Sequence, residues 1–206
     1  MKNRDETEKA ILEAVTAIVR ERGFGALGVN AVAEAAGVSK VLIYRYFGSY
    51  RGLLEEWATG RNFWIRGTVG AEAAIAAANG DRPAIAEILK GLVREQAAEL
   101  RTDRVSREIL RWFLAEEDAA AASVMARLEK RGAEVAEAVA AALGGGTDFA
   151  PLSAIAVAGV YYLSLLADRA SVFNGVDIAT DAGWTRILAA LDSLIDTLVL
   201  AAPRGP

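Results

Sequence analysis

The chain has 206 residues, 53% of them hydrophobic, with no cysteine, no histidine and a formal net charge of −4. That length suits one compact domain, or a small domain beside a larger one. Without cysteine there is no disulfide framework and no thiolate zinc site; without histidine, His-based catalysis is excluded and the usual transition-metal sites are disfavoured.

Long Ala-rich stretches without strand-like alternation predict an all-α protein of about nine helices. A first helix is expected from Asp5 to Arg22, with Ile11, Val15 and Ile18 as its apolar stripe, Leu12 and Val19 beside it, and Gly23 as its stop. Residues 27–54 then read LGVNAVAEAAGVSKVLIYRYFGSYRGLL. Val29, Val32 and Ala33 share a helical face, and Gly37 stands where a helix ends in the left-handed conformation. Val38 plugs the angle between two helices, and Ser39 is a strong N-cap for the second. Ile43 and Phe47, four apart, face inward together. Lys40, Leu42, Tyr44, Arg45 and Tyr46 are left to point outward or sideways. Cations and phenolic hydroxyls on a short exposed helix suit the phosphates flanking a DNA major groove. The segment is a helix-turn-helix, followed from Ser49 by a fourth helix carrying Leu53, Leu54 and Trp57.

Gly60, Gly67 and Gly70 weaken the later part of that fourth helix, and the sequence leaves open whether residues 67–79 are helical throughout. The next helix starts after Asn79-Gly80-Asp81, with Pro83 in its first turn, and runs to Arg101 with Ile85, Ile88, Leu89, Leu92 and Val93 inward. A short helix follows from Thr102 to Leu114, and a long one from Asp118 to Leu143, where three glycines end it. Pro151 opens a very apolar helix expected to reach Phe173; residues 174–183 read as a loop. The last helix is expected from Trp184 to Ala201. The most apolar run, residues 152–167, is shorter than the roughly 20 residues that span a bilayer, so no membrane partner is expected. The charged start MKNRDETEK is unlike a secretory leader, and a cytoplasmic location is expected.

The charge is divided unevenly. Residues 1–52 hold eight Lys/Arg against six Asp/Glu, and residues 53–206 hold fifteen against twenty-one. The positive excess, though slight, falls in the segment that would face phosphate.

Residues 10–54 resemble the N-terminal domain of the TetR family of bacterial transcriptional regulators, through AILEAV at 10–15, ERGFGAL at 21–27, AVAEAAGVSK at 31–40, IYRYF at 43–47 and GLL at 52–54. The resemblance implies a DNA-binding domain over residues 1–50, a helical effector-binding and dimerisation domain over 51–206, and no enzymatic activity. It implies a recognition helix from Ser39, with base-edge contacts near Lys40 and Val41, phosphate contacts at Tyr44 and Tyr46, and further DNA contacts from Asn30. This sequence departs from the family pattern at four places. Gly28 stands where a Thr or Ser cap is usual. Val41 and Leu42 replace a small residue and a Thr, and suit thymine methyls rather than hydrogen bonds. Tyr50 replaces a Lys, leaving its phosphate contact neutral or moved to Arg51.

The resemblance further implies a homodimer on a palindromic operator, paired through the last two long helices. Ile155, Ala158, Gly159 and Tyr162 of one and Leu188, Leu191, Ile195 and Leu198 of the other are the expected contacts. It also implies a pocket for a small-molecule effector, with Phe63, Trp64, Trp112, Met125, Tyr161 and Tyr162 as candidate walls suited to an apolar or aromatic compound. No cofactor or metal is expected. A repressor released by its effector is the leading expectation. An activator or co-repressor-dependent regulator is the alternative of the same fold, and a helical ligand carrier or enzyme keeping the motif as scaffold is the alternative of another class.

Overall fold

The computed structural model describes residues 4–61, 67–115, 119–145 and 149–200, and its described residues fold into ten α-helices, one 3-10 turn and one two-stranded hairpin. The chain divides into two compact units. The first comprises Met1–Asn62 and Asp103–Arg127, and the second Phe63–Thr102 and Leu128–Pro206.

The first unit opens with α1 (Arg4–Arg22), whose acidic first turn and basic last turn both complement the helix dipole. Its Ile11, Val15, Ile18 and Val19 are buried. A 3-10 turn (Phe24–Ala26) leads to α2 (Val29–Ala36), α3 (Lys40–Phe47) and α4 (Tyr50–Arg61). Ser49 caps α4 as expected, its hydroxyl accepting the Gly52 N–H at 2.9 Å. Gly52 is needed for a second reason: a Cβ there would lie 2.2 Å from the Phe47 carbonyl oxygen, so the first turn of α4 crosses the end of α3 at a distance no side chain permits.

This unit extends well past the expected boundary at residue 50, taking in α4 and a helix from much later in the chain, α7 (Arg104–Ala115). The reason is visible in the sequence of α7: Val105, Ile109, Trp112 and Phe113 recur at helical spacing and are buried, and α7 packs on α1 and the 3-10 turn. Phe24 stacks on Trp112 with ring centres 4.7 Å apart and meets Trp57 at 6.3 Å. The Trp57 indole N–H is satisfied by the Thr16 hydroxyl at 3.0 Å. Asp103 starts α7 by accepting the Val105 N–H, and also accepts from Ser106 (2.9 Å) and Arg61 (2.9 Å). Partial burial alone would raise the Asp103 pKa, but these hydrogen bonds outweigh it and hold the carboxyl below its ordinary value.

In the second unit Gly70, at φ +85°, interrupts the chain before a short α5 (Ala71–Ala77), so residues 67–79 are not one helix. Asp81 caps α6 (Arg82–Thr102) by accepting the Ala84 N–H at 3.2 Å. Then come α8 (Ala119–Ala142), which begins in the first unit, α9 (Ala150–Leu166) and α10 (Asp181–Leu200). α10 runs antiparallel along α6, as the order of their ion pairs shows: Lys90 with Asp196 (2.7 Å), Arg94 with Asp192 (2.5 Å) and Arg101 with Asp181. Ile75, Ile85, Leu89, Val139, Phe149 and Val199 are among the residues that form the core beneath.

α9 ends seven residues before the expected Phe173. Val172-Phe173 and Val176-Asp177 instead form an antiparallel hairpin, register Val172↔Asp177 and Phe173↔Val176. Its tip is Asn174-Gly175, both at positive φ, the turn that matches strand twist. α10 starts three residues earlier than expected because Thr180 caps it through the Gly183 N–H. The Trp184 indole N–H, donating to the Ile178 carbonyl at 2.8 Å, fastens hairpin to helix.

Candidate functional site

The helix-turn-helix is built by backbone geometry more than by side-chain caps. Gly28 is the N-cap of α2 and contributes no side-chain bond. At the other end Gly37 is left-handed (φ 65°), its N–H donates to the Glu34 carbonyl (3.1 Å), and the Val38 N–H donates to that of Ala33 (3.0 Å). That pair of bonds closes the helix and turns the chain. Val38 is half-buried in the angle, as its position predicts. Ser39 holds the N-cap position of α3 and accepts the Leu42 N–H through its carbonyl, but its hydroxyl makes no cap bond, contrary to expectation. That hydroxyl sits on the exposed rim of the turn.

One face of α3 is anchored by fully buried Ile43, with Phe47 half-buried a turn later. Leu42 and Tyr46 are also half-buried, and the Arg4 guanidinium lies over the Tyr46 ring at 5.3 Å. The opposite face, at i, i+1, i+4 and i+5, presents Lys40, Val41, Tyr44 and Arg45 to solvent, with Val41 72% exposed. The outward set expected from sequence therefore splits in two, because Leu42 and Tyr46 lie on the flanks of the buried stripe. Lys40 and Arg45 have no ion-pair partner among the described residues. Asn30 is exposed in the first turn of α2. Tyr50 is half-buried, and Arg51 is exposed with its Nε bonded to Glu55 (2.6 Å), which leaves the rest of its guanidinium fork available.

The expected effector walls fall in different units. Trp112 is buried in the first unit against Phe24, and Met125 is exposed in that same unit. Tyr161 and Tyr162 belong to the second unit. Tyr162 is exposed and meets Phe173 edge-on at 5.5 Å, whereas Tyr161 is half-buried, its hydroxyl accepting from Gln96 Nε2 at 3.1 Å. Burial pushes the Tyr161 pKa up to about 12. Phe63 and Trp64 lie outside the described residues.

The second unit instead contains an apolar cavity of about 260 Å³ between α6, α9 and α10, bounded also by Val135 of α8 and by Phe149. Its wall is aliphatic, with Leu92, Val160, Leu163 and Leu191 among the contributors and the Ser153 hydroxyl as the one polar side chain. Sequence reasoning missed it because it favoured aromatic residues. The usable signal was the excess of aliphatic positions on α9 and α10.

Of the expected dimer contacts, Ile155, Ala158 and Tyr162 form an exposed stripe on α9, with Ile155 68% exposed and Gly159 beside it half-buried. On α10, Leu188, Leu191 and Leu198 are half-buried and Leu194 is exposed. Ile195 is the correction: it is buried in the core of the second unit, because its face of α10 lies against α6. Leu194 takes its place on the outer face. Among the described residues no helix is long and apolar enough to cross a membrane, and no group of acidic residues is arranged to hold a metal ion.

A three-helix unit presenting an exposed cationic and aromatic face on its third helix defines a helix-turn-helix DNA-binding protein. Residues 11–57 match the family model of bacterial regulatory proteins, tetR family, so the chain carries the DNA-binding domain of the TetR family of transcription regulators. No curated protein matches the chain. Among solved structures, native NalD of Pseudomonas aeruginosa, the secondary repressor of the MexAB-OprM multidrug efflux pump, is similar over 91% of this chain and 94% of its own, with a TM-score of 0.64 and 20% identity. FadR of Thermus thermophilus, a TetR-family transcriptional repressor in complex with lauroyl-CoA, is similar over 89% and 92% (TM-score 0.55, 17% identity). AibR in complex with isovaleryl coenzyme A and operator DNA is similar over 94% and 98% (TM-score 0.53, 17% identity). These likenesses show that the fold extends through the second unit.

Proposed function

We propose that the protein is a homodimeric transcriptional repressor that leaves a palindromic operator when a small, apolar molecule binds its second unit. The observation that carries the reading is the outer face of α3, where Lys40, Val41, Tyr44 and Arg45 stand exposed around a helix held rigidly by Ile43. Lys40 and Val41, in the first turn, read base edges, and Val41 suits a thymine methyl. Tyr44, Arg45, Asn30, Arg51 and the Ser39 hydroxyl hold the phosphates on either side. Tyr46 and Tyr50 line the same surface at its buried edge.

One such helix carries little net positive charge to bind with, so two copies are needed. The exposed stripe of Ile155, Ala158 and Tyr162 on α9, with Leu194 on α10, supplies a self-complementary apolar face for a two-fold pair. A two-fold dimer reads an inverted repeat with half-sites about 34 Å apart. Structurally similar proteins solved with operator DNA or with an acyl-CoA support a regulator that binds both DNA and a small molecule. The cavity of the second unit takes the effector, which releases DNA only in so far as it binds the DNA-free conformer more tightly than the DNA-bound one. A regulator of this kind works in the cytoplasm.

Selection of bound sequences from a random DNA pool tests the reading. An inverted repeat is expected to emerge, and Tyr44→Ala to abolish its enrichment while the dimer stays folded. Recovery of no sequence above background sinks it, and recovery of a single unrepeated site sinks the two-fold arrangement.

A further inference from the structure

The Arg4 guanidinium, at the start of α1, is fixed against α3 on two sides. Its Nε donates to Glu8 at 2.8 Å, and its central carbon lies over the Tyr46 ring, 5.3 Å from the centroid. The side chain is nonetheless 66% exposed. Arginine carries five N–H donors in one rigid plane, and the bond to Glu8 uses one of them. The four on the terminal nitrogens have no partner among the described residues, and neither has the Tyr46 hydroxyl.

What this pair meets depends on its place around α3. A helix with its side chains is about 10–12 Å wide, and the major groove is about 12 Å wide. A helix that enters the groove therefore turns its outer face to the bases and its flanks to the two phosphate strands. On α3 the outer face is Lys40, Val41, Tyr44 and Arg45. Tyr46 lies on a flank, beside Arg45 in the last turn, and Arg4 adds a full positive charge to that flank.

The carboxylates nearby do not cancel that charge. Successive helical residues are about 100° apart, so Asp5 and Glu6 project about 100° and 200° round α1 from Arg4. Only Glu8 shares its side. Glu8 holds the inner nitrogen and is the more covered partner, 26% exposed against 66% for Arg4. The ion pair thus orders the guanidinium and leaves its cationic end outermost.

We propose that Arg4 contacts DNA: its terminal nitrogens hold a backbone phosphate beside the groove that α3 enters, and the Tyr46 hydroxyl donates to the same strand. The start of α1 is then part of the DNA-binding surface. The contact carries no sequence information and fixes the register of α3 on the duplex. It rests on the function proposed above for the DNA, and on the Arg4, Glu8 and Tyr46 geometry for the contact.

The test is the salt dependence of binding by the full-length protein. Affinity is measured at several salt concentrations for a duplex recovered in the selection above and for an unrelated duplex of equal length. The proteins are the wild type, Arg4→Gln, Arg4→Lys and Arg20→Gln. Arg20 is an exposed cation of the same helix, about 24 Å from Arg4 along the axis and so beyond the screening length of about 8 Å. Arg4→Gln is expected to melt with the wild type, because the side chain is at an exposed helix end. Its plot of log affinity against log salt is expected to be shallower by about two on both duplexes, close to one for each phosphate held by a dimer. Operator affinity at physiological salt is expected to fall at least ~tenfold. Arg4→Lys keeps the charge without the planar stack, and is expected to keep the slope while losing part of the affinity. An unchanged slope in folded Arg4→Gln, an equal loss in Arg20→Gln, or no recovery of slope in Arg4→Lys overturns the proposal and leaves the repressor reading standing. A slope that depends on Arg4 with no sequence recovered in the selection keeps the contact and sinks the repressor. Absence of binding to any duplex sinks both.

Discussion

The two units of this chain break opposite rules of protein surfaces. The first buries its large aromatics against partners, Phe24 on Trp112 and Trp57 bonded to Thr16, and exposes cations without counter-ions on α3. The second exposes aliphatic side chains on α9 and α10 and buries two polar atoms without partners. Unpaired charge in water is tolerable and marks a surface that meets an anion. Both are unfavourable in isolation: exposed apolar surface marks a face that meets apolar matter, and a buried polar atom without a partner costs stability. The contrast fits polyanion binding by one unit and, under the function proposed above, pairing and ligand binding by the other.

The largest effect that tests the contrast is in the first unit. Trp112→Ala is expected to destabilise the protein by about 3–5 kcal/mol in urea denaturation, because it removes a buried indole stacked on Phe24. A loss under about 1 kcal/mol combined with weakened ligand binding would return Trp112 to the effector wall and blur the division between units.

In the second unit the comparable measurement uses pH. The Tyr161 pKa, raised to about 12 by burial against an unfolded value near 10, means that the folded state favours the protonated phenol. Its contribution is fully present below pH 10 and is lost as the pH rises towards 12. Relative to Tyr161→Phe, the wild type is expected to lose about 2–3 kcal/mol between pH 9 and 12. Subtraction of the variant removes the lysine titrations, and parallel curves would show that Tyr161 is hydrated rather than buried.

How much of this was legible in the sequence depended on the range of the interactions. α1 to α4 were readable because their signals are local: a stripe at helical spacing, Gly37 at a left-handed turn, Ser49 three residues before the N–H it caps. The stacking of Trp112 on Phe24 was not readable, because the two are 88 positions apart and nothing in either neighbourhood records the pairing. The hairpin had a local signal, Asn174-Gly175 between apolar residues, but it was overridden by reading the apolar run of α9 as one helix. That Gln96 Oε1 and Ser164 Oγ are buried without hydrogen-bond partners was invisible in principle. A buried amide is ordinary until its neighbours are known to offer it nothing.

Intermediate in size is the effect on the exposed face of α3. Tyr44→Phe removes one hydroxyl from an exposed ring and is expected to change stability by less than about 0.5 kcal/mol. Operator affinity, measured at fixed salt, is expected to fall about fivefold, near the worth of one phosphate hydrogen bond. The reverse pattern, lost stability with unchanged affinity, would mean that α3 packs against protein rather than DNA.

The smallest effect concerns Gly28, the departure from the family pattern at the start of α2. Its backbone is extended (φ −169°, ψ 154°), a conformation any residue adopts, and a Cβ there meets nothing within 4 Å. Its carbonyl already accepts the Val32 N–H at 3.0 Å, so the helix is started but its first-turn donors lack a side-chain acceptor from the cap. Gly28→Ser supplies that acceptor and lowers the entropy of the unfolded chain, for an expected gain of about 0.5–1 kcal/mol in urea denaturation. The DNA response separates two reasons for the glycine. Unchanged affinity means a cap left unoptimised, because proteins rarely sit at their stability optimum. Weakened affinity means that the backbone at Gly28 must come close to a phosphate, which would extend the DNA-facing surface from α3 to the start of α2 and make Asn30 part of it.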